Sequence, residues 1–301
     1  MNTTHHITHH TIAVNGAELH YVTAGNTGTP VLLIHGFPES WWAFHRVIPL
    51  LARTHRVTAV DLRGWGDSSH ADGDYDSATV AEDLHQLVGH LGNLGQGPVH
   101  LAAQDISGGA AFRFAAAHPE DVLSFTGTEM GLAGFGLEGL ADITHGGSWH
   151  IGALTAPGIP ELLLAGRERE FLGEWAFPAM TAVPGAVTAE DITEFTRAFA
   201  RPDGWRGAIG LYRSMLAEGD EIRTIASTTP LTVPALAIGG SGGPFTETTL
   251  NQVTDGTVES VQLENVGHHV PLEAPEAFTT ALLTFIDRAD LRAQVRTRVT
   301  G

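Results

Sequence analysis

A chain of 301 residues with 43% hydrophobic content is long enough to bury one large α/β domain, or a core with an insertion. Its 34 acidic residues stand against 16 basic ones, all arginine, and the net charge of −18 argues against nucleic acid and anionic membranes as partners. The lack of cysteine removes disulfides, thiol nucleophiles and cysteine metal sites, and no apolar run approaches the ~20 residues of a membrane span.

Residues 1–10 are polar and histidine-rich, which predicts a disordered arm. They contain no apolar run of the kind a secretory leader needs, so a cytoplasmic location is the expectation. His5, His6, His9 and His10 have the composition of an adventitious metal binder, but a disordered polar arm is the preferred reading at a terminus. No resident metal or cofactor is expected from the sequence.

Residues 11–25 alternate in polarity about Asn15-Gly16 and predict an opening β-hairpin. Pro30–Ile34 is a short continuous apolar run, the pattern of a strand buried on both faces. It ends in His35-Gly36-Phe37-Pro38-Glu39-Ser40-Trp41, where glycine followed by a rigid proline can turn backbone N–H groups outward. Residues 57–60 form a second buried strand, closing on Asp61-Leu62-Arg63-Gly64-Trp65-Gly66-Asp67-Ser68, whose charged pair Asp61 and Arg63 reads as tying down a tight loop. Over residues 75–91 the apolar positions Ala81, Leu84, Leu87, Val88 and Leu91 fall on one helical face.

The next run, Val99-His100-Leu101-Ala102-Ala103-Gln104-Asp105-Ile106-Ser107-Gly108-Gly109, leads into alanine-rich residues 110–117. This is a strand, a sharp turn and a helix, the setting of a nucleophile elbow. A side chain on such a turn needs small neighbours two before it and two and three after it, because helix and strand cross closely. Ala103, Ser107 and Gly108 meet that need if Asp105 is the nucleophile. With Ser107 as nucleophile, Asp105 would occupy a small position, a steric objection; a third reading has Asp105 only capping the helix.

After His118-Pro119, residues 122–126 form a strand ending near Glu129. The composition then changes: residues 131–147 are glycine-rich, and residues 149–223 hold helical segments broken by prolines, with no convincing strand. A mostly helical insertion over 131–225 reads as a lid on a core formed by 11–130 and 226–301. Residues 234–238 and 258–263 resume the strands, followed by Gly267-His268-His269 and a closing helix over 277–289. Strands alternating with helices imply a mostly parallel sheet covered on both faces.

The ordered set of His35-Gly36-Phe37-Pro38, Asp61 to Ser68, the elbow at Asp105, His118-Pro119 and Gly267-His268 before Glu273-Ala274-Pro275 resembles the α/β-hydrolase superfamily. Within it, the carboxylate at the elbow and the Phe37-Pro38 loop resemble the epoxide hydrolase and haloalkane dehalogenase branch. The branch usually reads Gly-His-Asp-Trp-Gly-Gly, a helix, then His-Pro; laid on this chain without gaps, its aspartate falls on Asp105 and Ser107 becomes a spacer.

The resemblance implies a hydrolase that opens an epoxide to a diol through a covalent ester on Asp105, with a small apolar molecule and water as its partners; the apolar lid and the departures at the elbow point to a bulky or biosynthetic substrate. No nucleic acid or membrane partner is implied, and the chain is expected to be a monomer or homodimer. His268 is implied as the base that activates water, with His269 as a structural neighbour. The amides of Phe37 and Ile106 are the implied oxyanion hole. An acid for His268 is often found after the strand over 234–238, but this chain reads Gly239-Gly240-Ser241-Gly242-Gly243 there. Glu129, at the alternative family position, is therefore the expected acid, with Glu247 a weaker candidate.

Family epoxide hydrolases donate to the ring oxygen with two lid tyrosines. Tyr212 resembles the second, the first is missing, and His150 stands about where it would be. Trp41 and Trp149 are expected to contact substrate. Gln104 and Ile106 replace the usual elbow histidine and tryptophan. A haloalkane or haloacid dehalogenase with the same nucleophile is the first alternative, although Ile106 lacks a tryptophan's halide contact and Ile106 and Gly109 stand where fluoroacetate-type enzymes use arginines. A protein of this fold that binds or cyclises a biosynthetic substrate without hydrolysis is the second.

Overall fold

The computed structural model describes residues 6–300. Eight strands form one sheet: β1 (Thr8–Val14), β2 (Ala17–Ala24), β3 (Pro30–Ile34), β4 (Arg56–Val60), β5 (Val99–Gln104), β6 (Val122–Thr128), β7 (Ala235–Gly239) and β8 (Val258–Gln262). Their spatial order is β1-β2-β4-β3-β5-β6-β7-β8. Only β2 runs against its neighbours; β4, β3, β5, β6, β7 and β8 are parallel. This is the α/β-hydrolase fold.

The continuous apolar runs occupy the middle of the sheet for a physical reason. Pro30–Ile34 and Val99–Gln104 are buried along their whole length, because helices cover both faces there. The helix Ser77–Asn93 begins where Asp76 accepts a hydrogen bond from the Thr79 amide at 2.7 Å, and it buries Val80, Leu84, Leu87, Val88 and Leu91.

The arm expected over residues 1–10 is corrected in part. β1 starts at Thr8 and pairs residue for residue with β2 around Asn15-Gly16, where both turn residues take positive φ. His9 bonds His20 across the pair and His10 bonds Thr23, so these two imidazoles are occupied in the sheet. His5 lies outside the described residues. At the other end, the closing helix runs over Pro275–Thr300, well past the expected 277–289.

Between β6 and β7 the described chain holds helices, turns and one isolated bridge from Leu231 to Thr254, the last helix, Gly219–Thr228, passing the expected boundary at 225. This cap is fastened to the core by polar contacts rather than by strands. Arg46 binds the Ala186 carbonyl and the Asp191 carboxylate, and Trp42 donates its indole N–H to Asp191. Arg197 grips Asp67 with both guanidinium nitrogens, and Glu273 accepts from the amides of Ala182 and Val183. Asp61 and Arg63 act as loop ties, as expected: Asp61 accepts from the amides of Trp41 and Asp67 and from His20, while Arg63 pairs with Asp83.

Candidate active site

Asp105 stands at the carboxyl end of β5, the central strand, with φ +52°. A non-glycine residue in that region is strained, and the turn is held there by the strand before it and the helix Gly108–Ala117 after it. The small neighbours have the expected purpose. A Cβ on Gly108 would fall 2.7 Å from the Met130 side chain, and one on Gly36 would fall 2.5 Å from the Asp105 Cβ. Ser107 is fully buried and donates to the Gln104 carbonyl at 2.7 Å, so it sits in the spacer position and away from the cavity.

Two other loops converge on the Asp105 carboxylate. The Phe37 amide donates to its Oδ2 at 2.9 Å, and the neighbouring Ile106 amide adds a smaller pull on the carboxyl's pKa in the same direction. His268, after β8, places Nε2 at 3.5 Å from Asp105 Oδ1 and Nδ1 at 3.3 Å from Glu129 Oε2. Glu129 follows β6 at φ +47° and accepts from the amides of Gly240 and Gly242 at 2.5 and 3.0 Å. The glycine run after β7 thus lacks an acid of its own but cradles the one on the neighbouring strand. Glu247 accepts from Ser260 at 2.8 Å, which turns it away from His268.

Burial alone would push the His268 imidazolium down, but hydrogen bonds to Asp105 and Glu129 and their charges carry its pKa up to about 10. Burial also works against the Asp105 charge; the hydrogen bond from His268, its charge, and the two amides together hold the carboxyl below the usual range. In the resting site, the Asp105 carboxylate therefore stands beside a charged imidazole.

From the cap, His150 and Tyr212 face this group across a cavity of about 360 Å³. The Tyr212 hydroxyl lies 2.9 Å from Nε2 of His150, whose ring stacks on Phe37 at 5.4 Å and 7°. Burial lowers the His150 pKa to about 4, so this imidazole is neutral. Burial, and then the charge of Asp105, raise the Tyr212 phenol well above its ordinary value. The remaining wall is largely apolar, with Leu137, Leu140, Ile151, Met180 and Met215, and no arginine among the described residues lines it.

The α/β-hydrolase-fold family profile matches residues 29–134. A soluble epoxide hydrolase of Corynebacterium sp. (strain C12) is 34% identical over 291 residues, covering 93% of this chain and 97% of its own. The chain belongs to the epoxide hydrolase-like α/β hydrolases. Two solved structures agree in fold and sequence. Cfl2 from Burkholderia cenocepacia superposes with a TM-score of 0.83 at 32% identity, covering 93% of this chain and 95% of that one. The epoxide hydrolase CorEH, solved without ligand, gives 0.81 at 31%, covering 94% and 99%.

The structure of this hydrolase brings together Asp105, His268, Glu129, Phe37, Ile106, Tyr212 and His150, and leaves out both tryptophans. Trp41 is buried beside His9, His20 and Trp42 under the sheet edge. Trp149 points the other way along its helix from His150 and packs on Trp175 and Phe171 with almost half its surface exposed. Adjacent helical residues face about 100° apart, and this helix presents His150 and Ile151 to the cavity while leaving Trp149 outside it.

Two supporting residues escaped the sequence reading. Glu39, fully buried, accepts from Nδ1 of His269 at 2.9 Å and, at 3.4 Å, from Gln104 and from the Gly36 amide. Each of those three adjoins a group around Asp105, so one carboxylate ties the three loops. Ser148 lies 2.6 Å from Nδ1 of His150. The buried charge of Glu39 in an otherwise apolar loop was the available signal for the first; Ser148 gave only the signal of an ordinary helix cap.

Proposed function

We propose that this hydrolase opens an apolar epoxide to a vicinal diol through an ester on Asp105. The observation that carries the reading is the opposition of two sets of groups across one cavity: a carboxylate backed by a histidine and a second acid on the core, and a neutral phenol–imidazole pair on the cap. A carboxylate can attack a saturated carbon, and the oxygen it displaces needs a proton donor on the far side.

In the first half of the reaction, Asp105 bonds to one epoxide carbon while the ring oxygen accepts a proton from the cap. The protonated His268 beside Asp105 is of no use as a base at this stage. Ester formation removes the negative charge that holds the His268 proton, so its pKa drops towards the ordinary histidine value and the ring becomes able to take a proton from water. That water attacks the Asp105 carbonyl, and the charge that develops on the aspartyl oxygen meets the amides of Phe37 and Ile106. Glu129 orients the ring and balances the imidazolium.

The lining favours this reading over dehalogenation. The Ile106 side chain offers no N–H to a leaving halide, and Arg113, the arginine nearest the elbow along its helix, is committed to Glu218, Glu221 and Ser77. Among the described residues that line this cavity, the one cation is the His268 imidazolium, already held between Asp105 and Glu129, so a haloacid's carboxylate would find no free cation there. A single turnover on an aliphatic epoxide in oxygen-18 water tests the mechanism: the first diol should carry unlabelled oxygen from Asp105, and the label should appear in the peptide containing Asp105. Label entering the diol directly in that first turnover would rule the ester out.

A further inference from the structure

Ser148 occupies the position before the helix Trp149–Thr155 with extended backbone, φ −115° and ψ 127°. A serine there ordinarily turns its hydroxyl onto the amides of the first helical turn. This one makes no such bond and gives up the stabilisation of a cap. Its Oγ instead lies 2.6 Å from Nδ1 of His150, whose Nε2 lies 2.9 Å from the Tyr212 hydroxyl.

We propose that Ser148 is a positioning residue that holds His150 in its Nε2–H tautomer and thereby leaves the phenolic proton of Tyr212 free for the substrate oxygen. The inference rests on the epoxide-opening reading above. Three groups in a row can direct their hydrogen bonds only two ways, since a neutral imidazole has one donor and one acceptor nitrogen. If Ser148 donates to Nδ1, then Nε2–H donates to the tyrosine oxygen and the phenolic proton points into the cavity. If the direction is reversed, the phenol spends its proton on Nε2 and neither cap residue has one to give.

The two distances differ in the sense the first arrangement requires. Hydroxyl donors make shorter bonds than N–H donors, commonly near 2.7–2.8 Å against 2.9–3.0 Å. The serine contact is the shorter and the tyrosine contact the longer. The imidazole is also neutral at any ordinary pH, because burial brings its pKa to about 4. Its plane is fixed by the Phe37 ring stacked on it.

The proton inventory then closes. As Asp105 bonds to carbon, the ring C–O bond breaks, its electron pair stays on oxygen, and that oxygen takes the Tyr212 proton. The phenolate left behind is held by Nε2–H of His150. The proton carried by His268 passes by way of solvent to this phenolate, restoring the phenol; the neutral imidazole then takes one proton from the attacking water and hands it to the departing alkoxide, and the second water proton returns to His268 as Asp105 becomes a carboxylate again.

The tautomer can be read directly by long-range proton–nitrogen correlation NMR on protein labelled with nitrogen-15 histidine, the His150 signals being assigned by their loss in His150→Gln. The expected result is a protonated Nε2 and a bare Nδ1 shifted by an accepted hydrogen bond. In Ser148→Ala the Nδ1 signal should move to the position of an unbonded nitrogen. Single-turnover ring opening should slow about tenfold, the effect of one lost hydrogen bond, with ester hydrolysis unchanged. Ser148→Thr should restore both. A protonated Nδ1 in the wild-type protein overturns the proposal, and so does an Nδ1 signal that Ser148→Ala does not move. The wild-type spectrum decides the tautomer even if the alanine variant fails to fold. No epoxide is present in the NMR experiment, so a failure of the tautomer and a failure to turn over epoxides are separate results.

Discussion

The two walls of the cavity are built by different means. On the core wall, Asp105 and Glu129 sit at the ends of adjacent parallel strands, each at a positive φ that a side-chain-bearing residue adopts only under constraint. Their positions are set by the sheet, and Glu39 ties the loops around them together. On the cap wall, Tyr212 and His150 sit on ordinary helices and are aimed by ring contacts with Phe37 and one serine hydroxyl. The core wall thus holds its acids at the ends of sheet strands, and the cap wall holds its donors on helices, aimed by side-chain contacts. Groups that form and break the covalent bond need the first; groups that only donate a proton tolerate the second.

Substitutions should separate the walls by the size of their effects. Asp105→Asn removes the proposed nucleophile, and epoxide turnover should fall by at least about 10⁴-fold, the scale on which nucleophile deletions act in other hydrolases. Steady-state diol formation measures it, and residual turnover within tenfold of wild type would shift the chemistry away from this wall.

His268→Gln should leave the first half-reaction working and slow ester hydrolysis by roughly 10³-fold, the range of a lost general base. The adduct on the Asp105 peptide should then accumulate in intact-protein mass spectra. The same variant has a pH signature. His268 has its pKa raised to about 10 in the folded chain against roughly 6.5 when unfolded, so it binds a proton more tightly when folded. Its stabilising contribution is complete below about pH 6.5 and is lost as pH rises to about 10. Urea melts across that interval should show the wild type losing stability relative to His268→Gln.

On the cap wall, Tyr212→Phe should slow ring opening by about 10²-fold and leave hydrolysis of a preformed ester unchanged, which rapid-quench measurements of the two half-reactions can separate. Equal slowing of both halves would mean that the phenol serves the core wall as well. The smallest effect is expected where the cap is merely fastened. Arg197→Ala breaks a bidentate but half-exposed pair with Asp67 and should cost under about 1 kcal/mol in a thermal melt.

The core wall was legible in the sequence because its determinants are local. Small residues around Asp105, a strand ending in Gly36-Phe37-Pro38, and Gly267-His268 after the last strand each report a turn whose backbone needs those residue types. The choice of Asp105 over Ser107 also needed the resemblance, since sterics alone left the capping reading open. The cap wall was legible only as a set of residue types. Tyr212 and His150 were singled out as donors, but their contact spans 62 positions of chain, and Trp41 and Trp149 were assigned to a cavity they do not line.

By itself, the sequence determined the alternation of strands and helices, the elbow at Asp105 and the helical character of the insertion, because apolar periodicity and turn chemistry act over a few residues. Only the tertiary structure decided which carboxylate stands beside His268, which face of each cap helix meets the cavity, and that Ser148 bonds a side chain in place of capping its helix. Those outcomes depend on packing between segments far apart in the chain, where a rotation of one residue along a helix exchanges a buried donor for an exposed ring.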